Sequence, residues 1–152
     1  MTNADPVYLI DTNVLIYAYD AANPFKRRRA IEVLAALARA GSGALSVQVL
    51  SEFYTNITRK PRVPLTSEQA RDTSIRLCRS WHVLDLTVRT HLDAIAGVAQ
   101  HGMSYWDALV WATAKQSGVP NIITEDQTHG RLIESVRYFN PFHLDFKMSL
   151  LS

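Results

Sequence analysis

Short apolar runs alternate with longer helical stretches along this chain, and that alternation leaves very few architectures open. Helices placed between successive strands favour parallel pairing, with helices packed on both faces of the sheet. Val7 to Ile10 is a continuous apolar run, the mark of a central strand buried on both sides. A helix over Val14 to Tyr19 is expected next. Asn23 then caps a second helix that has Pro24 at its first position and ends near Gly41. Ala44 to Val47 reads as the second strand. The third helix carries Leu50, Phe53 and Ile57 on one face and has to stop before Pro61. A capping box from Thr66 to Gln69 opens a helix to about Ser80, and His82 to Leu86 reads as the third strand. Thr87 caps a helix ending near Gly102, and Ser104 caps one ending at Gly118. Asn121 to Thr124 is expected as the fourth strand, Thr128 to Glu134 as a short helix, and Val136 to Phe139 as a fifth, edge strand. Right-handed crossovers then imply a three-layer α/β/α sandwich around roughly five parallel strands, as one domain over residues 1–152.

With 47% of its 152 residues hydrophobic, the chain can bury a sizeable core, and no tract has the composition of a disordered segment. Cys78 is the only cysteine, which rules out an internal disulfide and suits a reducing cytosol. Its helix-like surroundings predict a packed, inert thiol. No apolar run is long enough to cross a membrane. The opening MTNADP has no basic start followed by an apolar stretch, so no signal peptide is expected and the expected location is the cytoplasm. The histidines at 82, 91, 101, 129 and 143 show no zinc-like spacing.

Four acids stand where buried elements meet loops. Asp11 closes the first apolar run, Glu52 lies in the first turns of the third helix, Asp107 opens an otherwise apolar helix, and Asp126 follows the fourth strand. In parallel sheets the ligand site lies beyond the carboxyl ends of the strands. A helix feeding a strand from the opposite direction begins at that same edge, so all four acids can converge. Gathered carboxylates without counter-charge are costly, and hard divalent cations with a preference for oxygen, Mg²⁺ or Mn²⁺, relieve the repulsion.

Each acid also has a plainer role available. Asp11 can cap the following helix, and Asp107, three residues after Ser104, can complete a capping pair at the positive end of the helix dipole. Glu52 can be an ordinary surface residue and Asp126 a turn residue, with Glu125 its rival for any role at the site. The joint placement carries the argument. Thr12, Asn13 and Thr124 are expected as supporting residues that orient the carboxylates or a metal-bound water. Trp106 and Trp111 are expected in the core.

Sixteen basic residues against 14 acidic ones give a net charge of +2. Setting the four site acids aside leaves 16 against 10, or +6, which suits a polyanionic ligand. Two basic runs stand out, Lys26 to Arg29 and the group Arg59, Lys60 and Arg62. A solvated face is the default for both, but cations at a helix start oppose its dipole, which hints at phosphate binding for the first.

The segments IDTNVLIY, SEFY, SYWDALVWATA, TED after NII, and VRYFNPF, in this order from Val7 to about Phe142, make the sequence resemble PIN-domain ribonucleases. Within that family it is similar to VapC-type toxins of toxin–antitoxin pairs. Carried over position by position, the family's acidic quartet falls on Asp11, Glu52, Asp107 and Asp126, and its accompanying polar residue on Asn13. The resemblance implies a sheet of about five parallel strands, one or two Mg²⁺ or Mn²⁺ ions, and hydrolysis of RNA by an activated water. It also implies a homodimer silenced by a small antitoxin protein that covers or enters the acidic cleft. The segment from Pro61 to Pro64 with its flanking helices is the expected groove for that partner. Two other classes compete: a phosphatase with Asp11 as nucleophile, disfavoured because Asn13 stands where a second Asp is wanted, and a non-catalytic RNA- or protein-binding domain.

Overall fold

The computed structural model describes residues 5–59, 62 and 64–152. Its strands follow the apolar runs: β1 (Tyr8–Ile10), β2 (Gly43–Ser46), β3 (His82–Leu84), β4 (Asn121–Ile123), β5 (Leu132–Ile133) and β6 (Val136–Phe139). The helices between them are α1 (Thr12–Tyr17), α2 (Pro24–Ala40), α3 (Val47–Ile57), α4 (Ser67–Ser80), α5 (Val88–His101) and α6 (Tyr105–Gln116). A 3₁₀ turn, Met148–Leu151, follows the last strand.

Capping chemistry sets most boundaries. The side chains of Asn23, Ser46, Thr66, Thr87 and Ser104 each accept the backbone N–H three residues on. Gly41 and Gly102 end α2 and α5 with φ of 64° and 65°, a left-handed conformation that glycine adopts without strain. Ser46 is the last residue of β2 and also the cap of α3, so Val47 begins the helix rather than ending the strand. The third helix ends at Ile57; the expected stop before Pro61, the basic Lys60 and much of the expected Pro61-to-Pro64 groove lie outside the described residues.

The strand order is β3-β2-β1-β4-β6-β5, parallel throughout except for the antiparallel pair β5–β6. Alternate residues of the strands serve opposite faces. Tyr8, Ile10, Leu45 and Ile123 pack under α1 to α4 with Val14, Leu37 and Phe53. Leu9, Ala44, Leu84 and Ile122 pack under α5 and α6 with Trp111. These are the three layers expected. At Gly97 of α5 an added Cβ would lie 2.8 Å from the Trp111 ring, so the close approach of α5 to α6 requires glycine there.

Three expectations are corrected. The helix expected over Thr128 to Glu134 is instead a turn and a strand: Gly130 N–H donates to Tyr138 O, Tyr138 N–H donates to Arg131 O, both at 2.8 Å, and Leu132–Ile133 pairs with Val136–Arg137. A helix that short gains little, whereas the open edge of β6 offers backbone partners immediately. The sheet therefore has six strands and is mixed, and β6 lies inside it, with β5 at the edge. Cys78 is exposed rather than packed, because α4 turns Ala70, Thr73 and Leu77 inward and the next residue falls about 100° round the helix.

Candidate active site

β1 leads into the site through one more ladder bond. Asp11 N–H donates to Ile123 O at 2.9 Å, which continues the pairing of Ile10 with Ile123 and sets Asp11 beside Thr124. The sheet order reverses between β1 and β4, since β2 lies on one side of β1 and β4 on the other. That crevice is where parallel sheets hold ligands.

Asp11 is 8% exposed. Its Oδ1 accepts Thr12 N–H and its Oδ2 accepts the Thr124 hydroxyl, both at 2.8 Å. Burial pushes the carboxyl pKa up to about 7; the two hydrogen bonds pull against it, and the charges of Asp126 and Glu52 add to the rise. Asp11 thus combines the capping role with a place in the cleft.

Thr124 is a fully paired hub. While donating to Asp11, its hydroxyl oxygen accepts Asn13 Nδ2 at 3.0 Å and Asp126 N–H at 3.1 Å. Asn13 Nδ2 also donates to Asp126 Oδ2 at 3.1 Å, and Asn13 Oδ1 accepts Glu125 N–H at 3.3 Å. Asp126 stands at the exposed lip of the cleft. Its pKa is raised, first by the desolvation it does suffer, against the Asn13 hydrogen bond, then by the charges of Asp107, Glu125 and Glu52.

Glu52 comes from α3 and is half-buried. Thr12 Oγ1 donates to its Oε2 at 3.0 Å, and Gln48 Nε2 to its Oε1 at 2.8 Å. Asp107 sits in the first turn of α6 with its backbone N–H on Ser104 Oγ. Among the described residues its carboxylate meets only the Gln127 amide, at 3.5 Å. Glu125 turns away: Tyr17 OH and Lys26 Nζ each donate to it at 2.6 Å. Asp126, not Glu125, joins the cleft, and Lys26, the first cation of the basic run, is committed to this ion pair.

Gln48 was not foreseen. It is 4% exposed, donates to both Glu52 and Trp106 O, and so ties α3 to the start of α6; its Oε1 has no hydrogen-bond partner among the described residues. A polar residue on the Val49–Phe53–Ile57 side of an apolar helix was the available signal. Gln127 was also missed; it links Asp107 to Arg131, whose guanidinium donates to Gln127 Oε1 at 3.0 Å. Trp106 is a correction: it is 63% exposed, while Trp111 is buried as expected.

The four acids form one electrostatic cluster, and among the described residues none of them pairs with Lys, Arg or His. Nor, among those residues, do three His, Cys, Asp or Glu side chains close tightly enough to enclose a single ion. The donor set still fits a hydrated cation such as Mg²⁺, which keeps several waters and is held through one or two carboxylates.

The family model for the PIN domain matches residues 8–133. The chain belongs to the PIN-domain family. No curated protein sequence matches it. Among solved structures, this PIN domain is similar to a toxin–antitoxin complex from Klebsiella pneumoniae at 20% identity and a TM-score of 0.66, over 90% of this chain and 99% of that one. It is also similar to VapC20 of Mycobacterium tuberculosis, a sarcin–ricin-loop-cleaving toxin, at 22% identity and 0.60, over 76% and 86% of the two chains. A DNA-bound VapBC from Salmonella typhimurium gives 17% identity and 0.62, over 88% and 96%. At such identities the likeness is one of fold. No helix of the described residues is long and apolar enough to cross a membrane.

Proposed function

We propose that this PIN domain is a metal-dependent endoribonuclease and the toxin of a toxin–antitoxin pair acting in the cytoplasm. The observation that carries the reading is the uncompensated cluster of Asp11, Glu52, Asp107 and Asp126 at the β1/β4 crevice. Bound Mg²⁺ or Mn²⁺ would supply Lewis acidity there, favouring deprotonation of water and offsetting charge on the phosphate. Asp11, Glu52, Asp107 and Asp126 would together hold the ion, Asp11 and Asp126 from the strand ends and Glu52 and Asp107 from α3 and α6. Thr124, Asn13 and Thr12 fix the carboxylate orientations, and Gln48 fixes Glu52. In the hydrolysis, water adds to phosphorus, the bond to the leaving ribose oxygen breaks, and that oxygen takes up a proton.

Several solved neighbours bear names that describe toxins or toxin–antitoxin assemblies, which supports a small antitoxin as partner. Such a partner can place an Arg or Lys among the four carboxylates and satisfy their charge in place of a cation. Val88, Leu92 and Ile95, at 77%, 58% and 48% exposure, line one side of α5 and offer an apolar surface for pairing with a second copy. The phosphatase reading is weakened by Asn13, whose amide is engaged by Thr124, Asp126 and Glu125 and offers no acid two residues after Asp11.

Purified protein incubated with RNA should cleave it with Mg²⁺ or Mn²⁺ and stop on addition of EDTA, and Asp11→Asn should be inactive while remaining folded. In cells, induced wild type should arrest growth with loss of RNA integrity, and Asp11→Asn should not. Binding of RNA without metal-dependent cleavage would favour the non-catalytic domain, and a trapped aspartyl-phosphate would favour the phosphatase. A cleaving but harmless protein would be a housekeeping nuclease.

A further inference from the structure

Trp106 is a large aromatic side chain left in water at the edge where the acids gather. The residue is 63% exposed, although α6 buries every residue from Ala108 to Ala114. It is adjacent in sequence to Asp107 and in the same first turn, so its Cα lies about 3.8 Å from that of a site acid. Successive helical residues are about 100° apart, which sets the two side chains next to each other rather than back to back.

The mounting is rigid. Gln48 Nε2 binds the Trp106 carbonyl at 3.1 Å and Glu52 at 2.8 Å, so one buried amide holds both the tryptophan backbone and a second site acid. The ring stands edge-on to Tyr105 at 5.2 Å, and Tyr105 is itself fixed by a 2.7 Å hydrogen bond between its hydroxyl and His91 Nδ1. A fixed aromatic face pays little conformational entropy when a flat ligand settles on it.

Resting on the ribonuclease reading, we infer that Trp106 is a stacking platform for an unpaired base next to the scissile phosphate. In a duplex the base faces are covered by their neighbours, whereas an unpaired base offers its face to an aromatic side chain. The ring supplies binding without sequence selection, because every base has a π face. The acids repel the phosphate in the absence of a cation, so an attraction independent of charge is useful at this point of the cleft.

The test uses Asp11→Asn protein, to prevent cleavage, with and without Trp106→Ala or Trp106→Phe. A short single-stranded RNA and the same strand annealed to its complement are titrated with Mg²⁺ present, following tryptophan emission and the anisotropy of labelled RNA. The single strand should quench emission, and the quench should be lost in Trp106→Phe, which removes the reporter and keeps a stacking face. Trp106→Ala should weaken single-strand binding roughly 10-fold or more, Trp106→Phe should weaken it less, and duplex binding should not change. Unchanged single-strand affinity in Trp106→Ala overturns the proposal, as does an equal loss for duplex and single strand. A Trp106→Ala protein that binds RNA normally but no longer binds a protein inhibitor assigns the residue to a protein interface and also overturns it. Quenching by RNA that the Asp11-intact protein fails to cut would keep the stacking site and sink the nuclease reading. Failure of every form to bind RNA sinks both.

Discussion

Asp11 pays for its position in the currency of protonation. Its carboxyl pKa is raised to about 7 in the fold, chiefly by burial, from an ordinary value near 3.8. A raised folded value means the native state holds the proton more tightly than the unfolded chain. The resulting stability is fully present below the unfolded value and is lost as pH rises through about 7. Without metal, wild type should therefore lose melting temperature between about pH 5 and pH 8, and Asp11→Asn should lose less. At pH 8 the variant should melt at or above wild type, although its amide NH₂ opposes one of two hydrogen-bond donors and forfeits about 1 kcal/mol. Calorimetry of both proteins across that range in EDTA checks this. A variant that melts far below wild type at pH 8 would make Asp11 a structural residue.

At the scale of elements, the site is assembled from two neighbouring strands and the helices around them, and single side chains couple these pieces. Thr124 couples β1 to the end of β4, and the Lys26–Glu125–Tyr17 triangle couples α1 and α2 to the same loop. Gln48 couples α3 to α6. Gln48→Leu is close in volume and also removes the unpartnered Oε1, so stability should fall by no more than about 2 kcal/mol. Cleavage should fall at least 10-fold, because Glu52 and the first turn of α6 lose their common anchor. Denaturant unfolding alongside steady-state kinetics separates the two effects. Full activity in a folded Gln48→Leu protein would show that Glu52 is held well enough by Thr12 alone.

For the whole molecule, the acidic crevice sits in a protein whose remaining residues carry +6. A cation that binds only the native state should raise the melting temperature of the entire chain. At about one hundred times the dissociation constant the gain is roughly 2.7 kcal/mol, or about 5–10 °C for a chain of this size. Mg²⁺ or Mn²⁺ should produce such a rise in wild type, and Asp11→Asn or Asp107→Asn should blunt it. A melting curve indifferent to both ions at tens of millimolar would leave the cluster without a metal.

The sequence by itself determined the alternation of elements, their caps and the placement of the four acids. Those depend on local period and on residues within one helical turn. Val7 to Ile10, the Thr66-to-Gln69 box and Ser104 before Asp107 all act over such short distances, and the family could be recognised from the same segments. What the tertiary structure decided involves partners far apart in the chain. Glu125 is drawn away from the cleft by Lys26, 99 residues earlier, and Gln48 is fixed by Trp106, 58 residues later. The 128–134 segment becomes a turn and a strand because β6 presents an open edge, and Trp106 is left exposed at the start of a helix whose residues from Ala108 to Ala114 are all buried. An apolar or charged letter carries no record of which neighbour will arrive beside it. Only packing supplies that.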